Sequence, residues 1–291
     1  MGSAKRQWTV LALIDWTKGF LARAGVDQPR LSAEVLLART LGCERLELYT
    51  RHDRTVTREH LVLYRDLVRR AAAGEPIAYL TGRKEFYSLS LVITPDVLIP
   101  RPETELLVDA ALEAARAGAR RLWDACTGSG CVAVAAARHA GELSVLATDI
   151  SAPALAVAAE NVARHGLTDR VRVEKADLLE LPPTATDLAP VDVITANPPY
   201  VRDADMAALP GTVQCEPDVA LRAGATGLEY VRRIIADAPA RLHPGGLLAM
   251  EIGLGQADAV YELLNAAGTY RDIRFLKDQA GIDRAVLARR Q

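Results

Sequence analysis

Between Leu31 and Gly42 the apolar positions Ala33, Leu36, Leu37 and Leu41 recur at helical spacing. Thr57 to Ala73 repeats the design, with Leu61, Tyr64, Val68 and Ala71 on one face. Each run predicts a helix with one buried stripe. Ser32 is the expected N-cap of the first and Gly42 its stop, while Gly74 ends the second. No period-two alternation interrupts this region, so residues 1–75 are expected to form a small all-helical domain. Gly74-Glu75-Pro76 then breaks the pattern, and Phe86 to Ile93 reads as strand. Pro95, Pro100 and Pro102 punctuate the next stretch, which makes 76–102 a connector with a β-hairpin ahead of a helix at about 103–117.

From there apolar runs with strand character alternate with helical patterns. Strands are expected at 121–125, 144–149, 170–175, 191–196, 247–252, 270–276 and 283–289, with helices between most of them. That rhythm belongs to α/β proteins, in which a mainly parallel sheet is covered on both faces. Residues 103–291 are therefore expected to fold as one seven-stranded, Rossmann-like domain. There is no internal repeat and no low-complexity tract beyond alanine-rich helices.

Composition narrows the function classes. Half of the 291 residues are hydrophobic, a quarter are charged and the net charge is −2, which disfavours a large nucleic-acid footprint. The first 75 residues carry 13 Lys/Arg against 9 Asp/Glu, a local +4 that could help this part approach an acidic partner. Cys43, Cys126, Cys131 and Cys215 form no Cys-x-x-Cys pair and no metal-spaced cluster with histidine, so no metal is expected and the four read as buried, reduced thiols. The start of the chain holds no apolar signal core, Arg6 stands where a myristoylation motif needs Ser or Thr, and the longest uncharged run, Ala125 to Ala137, is too short to span a membrane. A soluble, cytoplasmic, monomeric protein without membrane contact is the expectation.

Two motifs carry the chemistry. The first is Asn197-Pro198-Pro199-Tyr200, directly after the apolar run 191–196, and hence at the carboxyl end of a strand where open α/β sheets place ligands. The prolines supply no N–H and hold φ near −65°, leaving stiff carbonyls free to accept. Asn197 adds a side-chain acceptor and Tyr200 a flat apolar face, a combination suited to presenting a planar –NH₂ group for methylation. The second is Asp124-Ala125-Cys126-Thr127-Gly128-Ser129-Gly130, a glycine loop between a strand and a helix, where a ligand can lie across the helix N-terminus. Asp149 closes the next strand, placed for ribose hydroxyls, and Asp177 with Leu178 follows the third, placed for the exocyclic amine of an adenine.

Gly128-x-Gly130-x-x-Ala133 with Asp149 also satisfies the dinucleotide fingerprint, so the loop alone leaves NAD and S-adenosyl-L-methionine open. Asp124 would repel a pyrophosphate but can pair with an amino-acid ammonium, and Asn197 to Tyr200 has a use beside a methyl sulfonium and none beside a nicotinamide. The joint reading is an S-adenosylmethionine site. An amide nitrogen is a poor nucleophile; if Asn197 Oδ1 and the Pro198 carbonyl accept its two N–H bonds they orient it for direct attack, with Tyr200 stacked on the amide plane. Cys126 reads as a packed residue rather than a thiolate nucleophile, Arg101 and Glu103 either line the mouth of the site or form a structural ion pair, Glu216 shapes a lid or caps a turn, and Glu251 reads as structural.

Further strings run through the chain: Pro76 to Gly82, Glu85-Phe86-Tyr87, Leu98 to Glu105 (Leu-Ile-Pro-Arg-Pro-Glu-Thr-Glu), Glu216-Pro217, Pro244-Gly245-Gly246 and Leu248 to Gly253. With them the sequence resembles the HemK/PrmC-type protein-(glutamine N5) methyltransferases, which modify the glutamine of the Gly-Gly-Gln motif in peptide chain release factors. The resemblance covers nearly the whole chain. It implies a seven-stranded S-adenosylmethionine domain with an N-terminal helical domain that helps hold the release factor. It implies a donor cradled by residues 126–130, Asp149, the Asp177-Leu178 corner and Asn197, and a substrate amide held by Asn197 to Tyr200. One position departs: Cys126 stands where the family usually has Gly. The Cys-Thr-Gly-Ser-Gly-Cys string is similar to sister enzymes acting on a glutamine of a large-subunit ribosomal protein, which is the alternative substrate. An exocyclic-amine nucleic-acid methyltransferase is a further one. The helical N-terminus and the Gly253 to Gln256 segment favour the release-factor branch.

Overall fold

A buried stripe every third or fourth residue and a run of apolar strands require two separate cores, and the computed structural model has two. It describes residues 7–291; Arg6, weighed above for a lipidation signal, lies outside them. The described residues form two compact units: those up to Gly82 together with Pro210–Cys215, and Arg83–Leu209 together with Glu216–Gln291.

The first unit contains α1 (Val10–Arg23), α2 (Pro29–Leu41), α3 (Arg45–Thr50), α4 (Arg58–Ala72) and α5 (Ile77–Thr81). Its core takes Leu13, Ile14 and Leu21 of α1, Ala33, Leu36 and Leu37 of α2, and Tyr64, Val68 and Ala71 of α4. The expected stripes are thus the buried ones, with Leu41 and Leu61 at their edges. Gly42 ends α2 at φ +63°, as a C-terminal glycine does. Ser32 is not the N-cap: α2 starts a turn earlier at Pro29, a residue pre-set for the first helical position, and the Ser32 hydroxyl, inside the helix, donates to the Asp27 carbonyl at 3.1 Å. Within the core Glu34 is buried; it pairs with Arg30 at 3.0 Å and accepts the Tyr49 hydroxyl at 2.5 Å.

The second unit opens with β1 (Arg83–Phe86) and β2 (Leu89–Val92), an antiparallel hairpin whose turn falls inside the 86–93 run that read as strand. The turn is made by Tyr87 and Ser88, both at positive φ (49° and 60°), the conformation of a type I′ turn that usually takes Asn or Gly. The tertiary structure holds it: Tyr87 N–H donates to Glu105 at 3.0 Å and its hydroxyl to Asp109 at 2.7 Å. Beyond the connector come α6 (Glu105–Arg116), β3 (Arg121–Ala125), α7 (Cys131–His139), β4 (Ser144–Asp149), α8 (Ala152–Arg164), β5 (Val171–Lys175) and β6 (Val191–Ala196). Two single turns come next, α9 (Gly211–Gln214), grouped with the first unit, and α10 (Asp218–Leu221). The chain ends with α11 (Glu229–Arg241), β7 (Leu242–Glu251), α12 (Ala257–Ala267), β8 (Tyr270–Lys277) and β9 (Asp283–Arg290).

The seven-stranded sheet runs β5-β4-β3-β6-β7-β9-β8. All neighbours are parallel except β9, which lies antiparallel between β7 and β8. The order moves outward from β3 through β4 to β5, then returns to β6 on the other side of β3. That reversal leaves a crevice at the carboxyl ends of β3 and β6. On one face Trp123, Leu146, Ile194, Leu248 and Met250 pack against Val231, Ile234 and Ala238 of α11 and Val260 and Leu264 of α12. On the other, α6, α7 and α8 pack on the sheet. Fully buried Trp123 donates its indole N–H to Thr148 at 2.8 Å, so the largest core side chain leaves no polar atom unpaired. No disulfide links the four cysteines; Cys131 is buried, but Cys215 is exposed, against the expectation that all four would be buried.

The hairpin is tied to the glycine loop by Asn161, fully buried on α8. Its Oδ1 accepts Val92 N–H at 2.7 Å, and its Nδ2 donates to Val92 O at 3.0 Å and Ser129 O at 2.9 Å. Asn161→Ala would leave three backbone groups, one buried and two part-buried, without these bonds, and is expected to destabilise the protein by about 2–4 kcal/mol. Urea unfolding followed by circular dichroism measures it; a loss below about 1 kcal/mol would mean that water replaces these bonds.

Candidate active site

At the crevice the structure opens a cleft of about 1010 Å³ including its open mouth. Three strand ends supply its floor. Asp124 on β3 is buried, its carboxylate accepting the Thr127 hydroxyl at 2.5 Å and, from the neighbouring strand position, the Thr195 hydroxyl at 2.8 Å. Burial raises its pKa to about 6, against the pull of the two hydroxyls. Asp149 ends β4 with one carboxylate oxygen on Gly128 N–H and the other on Ser151 N–H, both at 2.9 Å; burial raises its pKa as well. Each oxygen keeps a lone-pair direction for a further donor. Asp177, past β5, pairs with Arg233 at 2.7 Å while lining the cleft.

The loop between β3 and α7 bends sharply at Cys126, whose φ is +55°, and the Asp177-Leu178 corner does the same at Leu178, φ +51°. Both are side-chain-bearing residues in the left-handed region, a placement that concentrates at functional sites. The Cys126 thiol is pushed well above its ordinary pKa by burial and by the carboxylates of Asp149, Asp124 and Asp177. It stays protonated, which leaves no thiolate nucleophile there. Gly130 caps α7 at φ +78°, and a Cβ on it would stand 3.2 Å from that of Ala158, so its lack of a side chain lets α8 approach.

The cleft is lined by Asp124, Cys126, Thr127, Gly128, Ser129, Asp149, Asp177, Leu178, Asn197 and Pro199. Gly130, Pro198, Tyr200 and Arg101 do not line it. Tyr200 and Arg101 instead border a neighbouring polar depression with Glu103, Glu251 and Arg284. Arg101 is held by an ion pair to Glu216, a buried carboxylate whose other oxygen accepts Ile99 N–H at 3.0 Å. Glu216 is thus neither lid nor turn cap but an anchor for the connector. Gln256 performs the same service behind Tyr200, donating to the carbonyls of Tyr200 at 3.3 Å and Gly227 at 3.0 Å. The sequence reading missed Val97, Leu98, Pro100, Thr104, Ile150 and Tyr230 as lining residues. The connector positions lie in the Leu98 to Glu105 string and next to it; Tyr230, inside α11, carried no signal.

Four carboxylates, Asp96, Asp124, Asp149 and Asp177, line this cleft, and among the described residues lining it none is basic. A pyrophosphate would meet repulsion there, whereas a ligand bearing an ammonium and a sulfonium relieves it. The residues present therefore fit S-adenosylmethionine and not a dinucleotide. Among the described residues no group of His, Cys, Asp and Glu could hold a metal ion, and no helix is long and apolar enough to cross a membrane.

A doubly wound seven-stranded sheet with this acidic cleft at its switch point defines an S-adenosylmethionine-dependent methyltransferase, and a methyltransferase domain family matches residues 123–214. The catalytic domain of hMettl16 in complex with the MAT2A 3′UTR hairpin 1 shares the fold, with a TM-score of 0.59 at 20% identity, covering 77% of this chain and 80% of that one. Residues 12–82 match the PrmC N-terminal domain. The chain belongs to the release factor glutamine methyltransferase family. It is 40% identical to the release factor glutamine methyltransferase of Nitratidesulfovibrio vulgaris, over 97% of this chain and 95% of that one. Against the enzymes of the same name from Rhodopirellula baltica and Moorella thermoacetica it is 41% and 42% identical, over 95% and 93% of this chain and 95% of each of theirs.

The raised carboxyls give the unliganded protein a signed pH dependence. Asp124 binds its proton more tightly folded (pKa about 6) than unfolded (3.8), so its contribution to stability falls as pH rises through that window, by about 3 kcal/mol. A cationic ligand offsets that loss, so the stabilisation conferred by S-adenosylhomocysteine, which keeps the ammonium, should be larger at pH 7.5 than at pH 5. Denaturant unfolding with and without ligand at both pH values tests this. Glu251 adds to the same slope, so Asp124→Asn isolates the share of Asp124; an unchanged ligand increment in that variant removes Asp124 from the effect.

Proposed function

We propose that this protein transfers the methyl group of S-adenosylmethionine to the side-chain amide nitrogen (N5) of the glutamine in the Gly-Gly-Gln motif of peptide chain release factors, in the cytoplasm where those factors work. The observation that carries the reading is the acidic, base-free cleft meeting Asn197 at the end of β6, in a chain of this family. The relatives' names favour release factors over the ribosomal-protein alternative. Cys126 does not argue against this, because it takes the backbone conformation a glycine would take and its thiol is kept neutral.

In this reading Asp124 faces the donor's ammonium, Asp149 accepts from its ribose, Asp177 and Leu178 hold its adenine, and the loop 126–130 packs against it. When bound, the donor supplies a methyl group activated by a positively charged sulfur. The protein's own task is to present the amide. Asn197 Oδ1 and the Pro198 carbonyl accept its two N–H bonds, favour charge growing on nitrogen, and hold the lone pair in line. Tyr200 and Pro199 exclude water. No strong base is required beforehand, since the methylated nitrogen becomes acidic and sheds its proton afterwards. The first unit is assigned to release-factor binding: Leu46 of α3 and Val62 and Leu63 of α4 are largely exposed apolar side chains on a helical unit of net positive sequence.

Mass spectrometry of a release factor incubated with enzyme and donor tests the reaction itself; a glutamine left unmodified would overturn the reading. Asn197→Ala is expected to slow single-turnover methylation by on the order of 10²–10³ while donor affinity and circular dichroism stay close to the parent. A well-folded Asn197→Ala enzyme within about threefold of the parent rate would sink the role of Asn197.

The docking role makes a separate prediction. Val62→Ser with Leu63→Ser should raise KM for whole release factor by about tenfold, and leave KM for a short Gly-Gly-Gln peptide unchanged. Equal KM changes for both substrates would mean that the first unit does not bind the release factor.

A further inference from the structure

We propose that Thr104 and Glu251 are positioning residues that set which end of the Asn197 side-chain amide faces the cleft. The inference rests on the reading of Asn197 as the acceptor for the substrate amide. An asparagine amide has an acceptor end and a donor end of nearly equal size, and only its hydrogen-bond partners decide between the two orientations. For the proposed chemistry the oxygen must face the substrate; a flipped amide would present N–H to N–H.

The partners form a chain with one direction. Asn197 and Glu251 lie one residue past Ala196 and Met250, the last matched pair of β6 and β7, so they neighbour one another at the sheet's carboxyl edge. Thr104, buried in the turn before α6, stands between them. The Thr104 hydroxyl donates to Glu251 Oε2 at 2.7 Å, and Asn197 Nδ2 donates to Thr104 Oγ1 at 3.3 Å. An ionised carboxylate only accepts, so it takes the single proton of Thr104. Thr104 can then only accept from Asn197, which must offer its –NH₂. Oδ1 is left for the cleft. Turned the other way, two oxygens would meet with no proton between them.

Glu251 is a costly residue to place there for stability alone. It is buried, and among the described residues it makes no ion pair. Of the charged groups facing it, Arg101 is committed to Glu216, Arg284 to Asp278 at 3.0 Å, and Glu103 repels it. Its remaining oxygen accepts the Tyr200 hydroxyl at 3.5 Å, so the same carboxylate is linked directly to one end of the Asn-Pro-Pro-Tyr segment and, through Thr104, to the other. A buried carboxylate satisfied by two hydroxyls sets proton direction in a way that an apolar residue cannot.

The direction reverses when Glu251 is protonated. Its own proton can then go to Thr104, and Thr104 can donate to Asn197 Oδ1, turning the amide away from its working orientation. Burial raises the pKa of Glu251 to about 7, with Glu103 adding to it and Thr104, Arg284 and Tyr200 opposing. The single-turnover rate should therefore fall on the acid side of about pH 7.

The test uses full-length enzyme, a release factor and saturating donor, with rate, release-factor KM and donor affinity measured for Thr104→Val, Thr104→Ser and Glu251→Gln. Thr104→Val should lose about 10- to 100-fold in rate with donor affinity and KM within about threefold of the parent, and Thr104→Ser should restore the rate. Glu251→Gln should abolish the acid limb of the pH profile. Parent-like rate in Thr104→Val, equal loss in Thr104→Ser, or an acid limb retained in Glu251→Gln each overturns the proposal. Should Thr104→Val not fold, Thr104→Ser and the two pH profiles still decide it. Asn197→Ala separates the levels: if that variant is active the role of Asn197 itself fails, and if it is inactive while Thr104→Val is active only the relay fails.

Discussion

Negative charge held out of water without an ion-pair partner is the constraint on which the catalytic unit depends. Asp149 and Glu251 end strands of the sheet and Asp124 is the last residue but one of β3, and each is satisfied by neutral donors: the hydroxyls of Thr127 and Thr195 for Asp124, the N–H groups of Gly128 and Ser151 for Asp149, the hydroxyls of Thr104 and Tyr200 for Glu251. Neutral donors compensate a buried carboxylate only in part, and the raised pKa values of all three are the measure of the shortfall. The unit does not lack arginines. Arg101, Arg233 and Arg284 are each directed to another carboxylate, and none lines the cleft. Within the cleft, the charge of Asp124 and Asp149 is therefore available to a cationic ligand.

Backbone geometry explains how a loop of this kind tolerates a cysteine at its first bend. The turn from β3 toward α7 requires a left-handed residue at position 126, a conformation costing a side chain about 1–2 kcal/mol. Thr127 N–H donates to the Thr148 carbonyl at 2.9 Å and Asn161 grips the Ser129 carbonyl at 2.9 Å, so the loop is fixed from both sides. The surroundings hold the conformation whichever residue occupies it, and the thiol adds volume without adding a charge. Gly130 is different. There the neighbouring helix, and not the backbone angle alone, leaves a side chain tight room, a Cβ standing 3.2 Å from that of Ala158.

Much of the fold was legible because the signals are local. The apolar runs at 121–125, 144–149 and 191–196 are strands with those bounds, and the stripes of α2 and α4 are the buried ones. Local signals also misled. Ser32 has the chemistry of an N-cap, but Pro29 starts the helix first. Phe86 to Ile93 has the composition of a strand, yet bonds from Glu105 and Asp109, 18 and 22 residues away, bend it at Tyr87. The strand at 283–289 was legible but its antiparallel direction was not, since strand direction is not written in periodicity. Of the cleft lining, Asp124, residues 126–129, Asn197 and Pro199 were legible as parts of short strings with unusual chemistry.

The sequence by itself determined the residues that cannot be exchanged for their neighbours' kind: a proline pair after an asparagine, glycines at a turn, carboxylates at the ends of apolar runs. Each is a statement about a few consecutive residues, and physical chemistry reads it without knowing what lies nearby. Only the tertiary structure decided what those groups face. Arg101 meets Glu216 across 115 residues and Thr104 meets Glu251 across 147, so neither the ion pair that occupies the one nor the direction of the proton on the other could be inferred from spacing. Charge compensation and hydrogen-bond polarity are properties of pairs, and a chain's pairs exist only once its sheet has brought distant ends together.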